Sequence, residues 1–191
     1  AITDLAIATY ALLAFVALSH HRWLLAGILL GVMQACKLLP GPLIAVPVLL
    51  WLWGKPGFAS MLLGYVGTSL ALIVPWMLKD PALFLSSTVL YYLTYHAEGD
   101  NTSLWFFLPE AARGTFRMLG LALALGCVGW AFLRRNDPLL TPLTLSFVSY
   151  LIFVAFNNMT HLNYLWGIYT LGCTALAAQV ANAAAPVLFQ G

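Results

Sequence analysis

The chain has 191 residues, of which 62% are hydrophobic and 7% charged, whereas about a quarter of the residues in an average soluble domain are charged. Lys and Arg number 8 against 6 Asp and Glu, a net charge of +2, so there is no basic stripe for a nucleic-acid backbone. The composition excludes an ordinary water-soluble globule and a nucleic-acid binder, and it predicts a protein whose solvent is the bilayer.

Apolar segments recur along the chain, and short polar clusters separate them. A helical span needs about 20 mostly apolar residues, so we predict an all-α, polytopic membrane helix bundle of about six spans. One of these spans is a broken pair of half-helices, and a further helix lies in the outer headgroup layer. The predicted spans cover residues 5–18, 23–53, 58–78, 115–133, 139–156 and 162–180.

The second predicted span is interrupted by a charge and two prolines. Lys37 and the run Pro40-Gly41-Pro42 divide it into two apolar halves, neither of which reaches the length of a full span. A broken helix that carries a charge is where membrane proteins place binding sites. The alternative is that Lys37 extends from a helix end toward the headgroups.

Residues 81–114 are the one long segment that is not predicted to cross the membrane. Its first part, 83–95, mixes Leu with Ser, Thr and Tyr, which suits a helix lying in the headgroup layer. Its second part, 96–103, is the most polar segment of the sequence. This part therefore supplies several candidate binding residues.

Alternation of the spans divides the polar residues between two sides. Arg22, Lys55 and the pair Arg134–Arg135 share one side, and Lys and Arg are equally numerous on both sides, so the positive-inside rule gives a tie. Every acidic residue except Asp137 lies on the other side. We expect the compact cation clusters to face the cytoplasm and the remaining polar residues to face outward.

The outward side gathers cations, amides, hydroxyls and carboxylates that could bind a phosphate or diphosphate. Charge-assisted hydrogen bonds in a low dielectric are about twice as strong as neutral ones. Each candidate also has a simpler interpretation. Arg113 and Arg117 could mark the headgroup boundary, Asp100 could lie in a solvated loop, and His161 could be the polar start of a helix. The candidates are Lys37, His96, Asp100, Asn101, Ser103, Arg113, Arg117, His161 and Tyr164.

The three cysteines indicate packing rather than chemistry. Cys36, Cys127 and Cys173 each lie in an apolar run without a second Cys or a His at ligand spacing. They therefore predict neither a disulfide framework nor a zinc site.

Three short motifs follow one another along the chain. The first is an AGxxxG run at 26–31, followed by K-x-x-P at 37–40 and a further Pro47. The second, at 99–105, is similar to a G-N-x-S-L segment, and the third is a late F-N boundary at 156–157 that continues to His161, Tyr164 and Trp166. In this order the motifs resemble those of the polyprenol-phosphate-sugar-dependent glycosyltransferases of the GT-C superfamily, which include mannosyltransferase-like proteins and in which the G-N-x-S-L segment follows an interfacial helix.

This resemblance implies an integral-membrane enzyme. Such an enzyme transfers a sugar, mannose or another hexose or pentose, from a polyprenyl- or dolichyl-phosphate donor to a hydroxyl of a lipid or glycan. The reaction takes place on the extracytoplasmic side of the plasma membrane of a prokaryote or of the ER of a eukaryote. Donor-site roles carry over to Lys37, to the segment 100–103, and to His161 with Tyr164.

The family's catalytic carboxylate lies in a first outward loop that has no counterpart in this sequence. We therefore expect residues 1–182 to be the C-terminal, donor-binding part of a larger enzyme, and no catalytic residue is assigned. Residues 187–191, Val-Leu-Phe-Gln-Gly, resemble the remnant of a viral 3C protease site and are set apart from the fold.

Two other classes of protein stay open. A transporter could use the broken segment at Lys37 as a midplane site, and a non-catalytic subunit of a membrane complex could use the outward loops to bind partner chains. The sequence indicates no cofactor, and participation of a divalent cation, Mg²⁺ or Mn²⁺, stays open. Expected partners are membrane lipids, the lipid-linked sugar, its acceptor, and the missing N-terminal portion or other membrane subunits.

Overall fold

The computed structural model describes residues 2–38, 40–90, 107–133, 142–156 and 168–177, and these ranges are helical and contain no strand. The predicted all-α class is confirmed. A π-helical turn, Ser86–Leu90, continues directly from α5. The helices are α1 Ile2–Ser19, α2 Trp23–Cys36, α3 Pro40–Leu52, α4 Phe58–Lys79, α5 Pro81–Leu85, α6 Glu110–Leu133, α7 Pro142–Phe156 and α8 Ile168–Ala177.

The polar cluster after the first apolar run ends α1 and turns the chain into α2. His21 adopts a positive φ of 55°, and the Arg22 amide donates to the carbonyl of Ala17 at 2.9 Å. This tight turn places α1 and α2 side by side. Ile7, Ala11 and Leu18 of α1 are buried at helical spacing and face the core.

The predicted break between the two half-helices is confirmed. α2 ends at Cys36, and Lys37 is extended, with φ −158° and ψ 109°. α3 begins at Pro40. Pro40 and Pro42 stand in the first turn of α3, where the amide groups have no intrahelical acceptor and proline therefore costs no hydrogen bond.

The two halves form a hairpin. Gly57 lies only five residues after the end of α3 at Leu52, and a Cβ at Gly57 would stand 2.3 Å from the Trp23 ring at the start of α2. α3 must therefore run back toward the end where α2 begins, because five residues reach at most about 18 Å. Lys37 consequently lies at the tip of this hairpin, at the opposite end from Arg22 and Lys55.

α2 and α4 run parallel and touch backbone to backbone. A Cβ added at Gly27 would stand 2.1 Å from the Met61 carbonyl oxygen, and one at Gly64 would stand 2.5 Å from the Leu24 carbonyl oxygen. One at Gly31 would stand 2.7 Å from the Thr68 Cβ. We call the contact formed by Gly27, Gly31 and Gly64 the glycine seam. Contacts between small residues of this kind bring helices together in membranes.

A single apolar core joins these helices to α7 and α8. α7 is also tied to α3 by a buried hydrogen bond, in which the Ser146 hydroxyl donates to the Ile44 carbonyl at 2.8 Å. The largest fully buried side chains of this core are Tyr150, Ile7, Leu30, Met33, Ile44, Leu52, Met61, Leu171 and Val48.

Two of the described helices, α4 and α6, are long and apolar enough to cross a membrane. α4 has 22 residues, about 33 Å, against a hydrocarbon thickness of about 30 Å. Only 17% of the most apolar window of α4 and 12% of that of α6 are buried. Such exposed apolar helices favour association with lipid. α1 has 18 residues, and α2, α3, α7 and α8 have 10 to 15, so these helices do not by themselves establish six spans.

Some predicted boundaries shift. α6 begins at Glu110 rather than at residue 115, because Pro109 starts its first turn and accepts from the Ala112 amide at 2.9 Å. The predicted headgroup-layer helix is helical over 81–90, and its remainder, 91–95, lies outside the described residues. The last predicted span is described over 168–177.

Candidate functional site

A cleft of about 430 Å³ opens between α2, α4 and the α5 segment, beyond the glycine seam. Its walls are aliphatic and aromatic, with one hydroxyl and one thiol. The lining residues are Val32, Ala35, Cys36, Leu38, Leu72, Ile73, Trp76, Phe84 and Thr88. A cleft with these walls suits an apolar chain rather than a polar ligand.

Asp80 places α5 over the cleft. Its side chain accepts a hydrogen bond from the Leu83 amide at 2.9 Å, the bond by which a residue caps a helix N-terminus. Pro81 follows at the first helical position, where its fixed φ suits a helix start. Because α5 begins as soon as α4 ends, the chain turns back, and Phe84 and Thr88 reach the cleft.

The hydroxyl groups of the π-helical turn bond back to their own segment. Ser87 Oγ donates to the Leu83 carbonyl at 2.7 Å, and the Thr88 hydroxyl donates to the Phe84 carbonyl. Such back-bonding satisfies hydroxyl donors locally and competes with regular helix geometry, which fits the π-helical turn at this point. The segment therefore presents a largely apolar surface to the cleft despite its Ser and Thr content.

Two lysines are neighbours of residues that line the cleft. Lys37 is half-buried and follows Cys36 and precedes Leu38, which both line the cleft, although Lys37 itself does not. On α4, Lys79 Nζ lies 5.9 Å from the ring centroid of Trp76, a lining residue. The walls of the cleft are therefore apolar, and a lysine stands next to a lining residue on both α4 and the break after α2.

Gln34 organises the break beside Lys37. It is 7% exposed, its Nε2 donates to the Leu38 carbonyl at 2.8 Å, and its Oε1 accepts from the Tyr65 hydroxyl at 3.1 Å. The amide thus links the end of α2 to the middle of α4. Sequence reasoning missed this residue, although Gln34 is the one polar side chain within α2.

Two predicted site residues, Lys37 and Arg113, have described side chains, and neither lines the cleft. Lys37 lies between the lining residues Cys36 and Leu38 in the chain, whereas Arg113 is on α6, where its Nε donates to the Leu108 carbonyl at 3.1 Å. Arg117 follows one turn later on α6, and its side chain lies outside the described residues. Also outside them are His96, Asp100, Asn101, Ser103, His161 and Tyr164, so their convergence stays a prediction.

The opposite end of the α2–α4 pair is closed by aromatic packing. The Trp23 ring lies against Gly57, whose φ of 88° is left-handed and suits glycine. Lys55 Nζ lies 3.8 Å from the centroid of the Trp51 ring, within cation–π range. Lysine and tryptophan thus occur at both ends, but only the end with Lys79 opens into the cleft just described.

Within the ranges that the structure covers, no group of three or more His, Cys, Asp and Glu side chains could hold a metal ion. A role for Mg²⁺ or Mn²⁺ therefore stays open. No protein family, curated protein or solved structure matches the chain. The resemblance to GT-C glycosyltransferases consequently depends on the sequence motifs alone.

Proposed function

We propose that this chain is a multi-pass membrane protein and the donor-binding part of a GT-C-type glycosyltransferase. In this proposal the cleft takes the apolar chain of a polyprenyl- or dolichyl-phosphate sugar. The observation that carries it is an apolar cleft whose lining residues Cys36 and Trp76 have the lysines Lys37 and Lys79 as neighbours. The K-x-x-P motif of the resemblance lies at the same place, since Lys37 begins it and Pro40 ends it.

Each part of the cleft matches one part of such a ligand. Burying an isoprenoid chain against aliphatic walls gains about 25 cal/mol for each Å² of apolar surface removed from water. A lysine head beside apolar walls can reach a phosphate at headgroup depth while its stem stays buried. The low dielectric there strengthens the hydrogen bond between the ammonium group and the phosphate.

In the proposed reaction the residues of this chain hold the donor. The bond between the sugar C1 and the carrier phosphate oxygen breaks, and a bond forms between C1 and the acceptor oxygen. A carboxylate, which we assign to no residue, takes the acceptor proton, while Lys37 and Lys79 stabilise the phosphate that remains on the carrier. The reacting side is the extracytoplasmic face.

The hairpin weighs against the transport alternative. A midplane transport site uses the two halves of a discontinuous span, whereas α3 returns alongside α2, so that Lys37 lies at the tip of a hairpin and not between two halves of one span.

Filling the cleft tests the proposal. Leu72 lines the cleft and Leu70 does not, although both are exposed leucines of α4. We expect Leu72→Trp to weaken the binding of polyprenyl phosphate to the purified chain in detergent micelles about tenfold, because displacing two CH₂ groups costs about 1.6 kcal/mol. Leu70→Trp should leave the affinity unchanged. Equal affinities of the two variants would contradict the proposal.

A further inference from the structure

Gln34 is a buried amide with both of its functional atoms in use. Its Nε2 bonds to the Leu38 carbonyl on one side of Lys37, and its Oε1 bonds to the Tyr65 hydroxyl of α4. α3 packs onto the same amide, since a Cβ at Gly41 would stand 2.4 Å from Gln34 Oε1. One side chain therefore contacts the end of α2, the start of α3 and the middle of α4.

This amide lies where water is scarce, because Gln34 is buried. α2 and α4 start at the same level, with Trp23 against Gly57, and α2 has 14 residues against 22 in α4. α2 therefore ends about 12 Å short of the end of α4. The last carbonyls of a helix have no intrahelical donor, and in hydrocarbon an unsatisfied carbonyl is costly. Gln34 supplies such a donor to Leu38.

We infer that Gln34 is a positioning residue for Lys37: by tying Leu38 to Tyr65 it holds the extended break that sets where the Lys37 ammonium meets the carrier phosphate. This inference rests on the proposed function and deepens it. Gln34 itself does not touch the ligand, and it acts through the backbone on either side of Lys37.

A purely structural role makes a different prediction from a positioning role. Loss of packing would weaken the binding of any ligand in the cleft. Loss of positioning would weaken only the part of the affinity that the phosphate contributes. The discriminating quantity is the ratio of the affinity for polyprenyl phosphate to that for polyprenol of the same chain length.

We expect Gln34→Met, which keeps the size and removes both hydrogen bonds, to lower this ratio about tenfold, the effect of losing one to two hydrogen bonds. Polyprenol affinity should stay unchanged. Tyr65→Phe removes only the bond to α4 and should lower the ratio about threefold. Leu30→Met, a buried substitution one turn earlier in α2, is the matched control and should change neither affinity.

A double-mutant cycle tests whether Gln34 acts through Lys37. In a Lys37→Met background, Gln34→Met should lower the ratio no further, because residues that act in series are not additive. Additive effects, or an equal fall in both affinities, would overturn the inference while leaving the proposed function intact. If Gln34→Met does not fold, an unchanged ratio in Tyr65→Phe overturns it. A wild-type chain that binds polyprenol as tightly as polyprenyl phosphate would overturn both proposals.

Discussion

Along one half of their length the helices α2 and α4 are in close contact, and along the other half a cleft lies between them. In the first half the glycine seam brings the two backbones into contact. In the second half Val32, Leu72 and Ile73 line the cleft, which lies between the helices. Small residues thus occur where this helix pair is in backbone contact, and branched residues occur where the cleft opens.

The physical cause is that helices in lipid gain little from hiding apolar surface from one another. Close van der Waals packing through small residues is what favours their association. Where branched side chains replace glycine, this gain is smaller. Pro75 also lies in this half of α4 and lacks the amide hydrogen that would bond to the Ala71 carbonyl.

The largest expected effect comes from breaking the closed half. We expect Gly27→Ala to destabilise the chain by about 3 kcal/mol, because the new methyl group meets the Met61 backbone and α2 must move away. The midpoint of unfolding in mixed micelles measures this. Gly67→Ala, on α4 with open space around it, is the control and should be neutral or slightly stabilising. Equal destabilisation by the two variants would contradict the seam.

A smaller effect is expected where the seam meets the cleft. The Cβ of Gly31→Ala would lie 2.7 Å from the Thr68 Cβ and 2.9 Å from the Tyr65 carbonyl oxygen, a lesser overlap than at Gly27. We expect about 1 to 2 kcal/mol of destabilisation. We also expect a changed affinity for polyprenyl phosphate, because Val32 of the cleft wall is the next residue. If Gly31→Ala binds polyprenyl phosphate as tightly as the wild type, the packing of the glycine seam does not influence the cleft, and this prediction is contradicted.

The smallest expected effects on the free energy of unfolding come from removing the hydroxyl group of either of two serines. Ser146→Ala loses the bond to the Ile44 carbonyl and should cost about 1 kcal/mol. Ser69 Oγ, which is buried against α2 near Gly31, has no hydrogen-bond partner in the part of the chain that is described. Ser69→Ala should therefore change the free energy of unfolding by less than about 0.5 kcal/mol. A larger loss at Ser69 would show that its hydroxyl has a partner.

The positions of several helices could be predicted from the sequence, because polar clusters and prolines end apolar runs. The span predicted over 58–78 is α4, Phe58–Lys79, and the break at Lys37 lies where the charge and prolines place it. The pairing of α2 with α4 was not predicted. Its signal, glycines four residues apart at Gly27 and Gly31, is visible in the sequence but does not name the partner helix.

The candidate site was predicted only in part. A charge at a helix break predicts a site, and the chain neighbours of Lys37, Cys36 and Leu38, line the cleft. Phe84 and Thr88 reach the cleft because Asp80 turns the chain, and that geometry depends on one side-chain cap rather than on hydrophobic periodicity. Gln34 matters through partners at Leu38 and Tyr65, and the second of these is 31 residues away.

Photocrosslinking tests the role of the cleft most directly. A polyprenyl phosphate with a photoreactive diazirine in its isoprenoid chain would be bound to the full chain in micelles, irradiated, and the labelled peptides identified. We predict labelling within 32–38, 72–76 and 84–88, which unlabelled polyprenyl phosphate abolishes. Labelling spread evenly over the lipid-facing side of α4, around Leu63 and Leu70, without competition, would contradict a carrier-binding cleft.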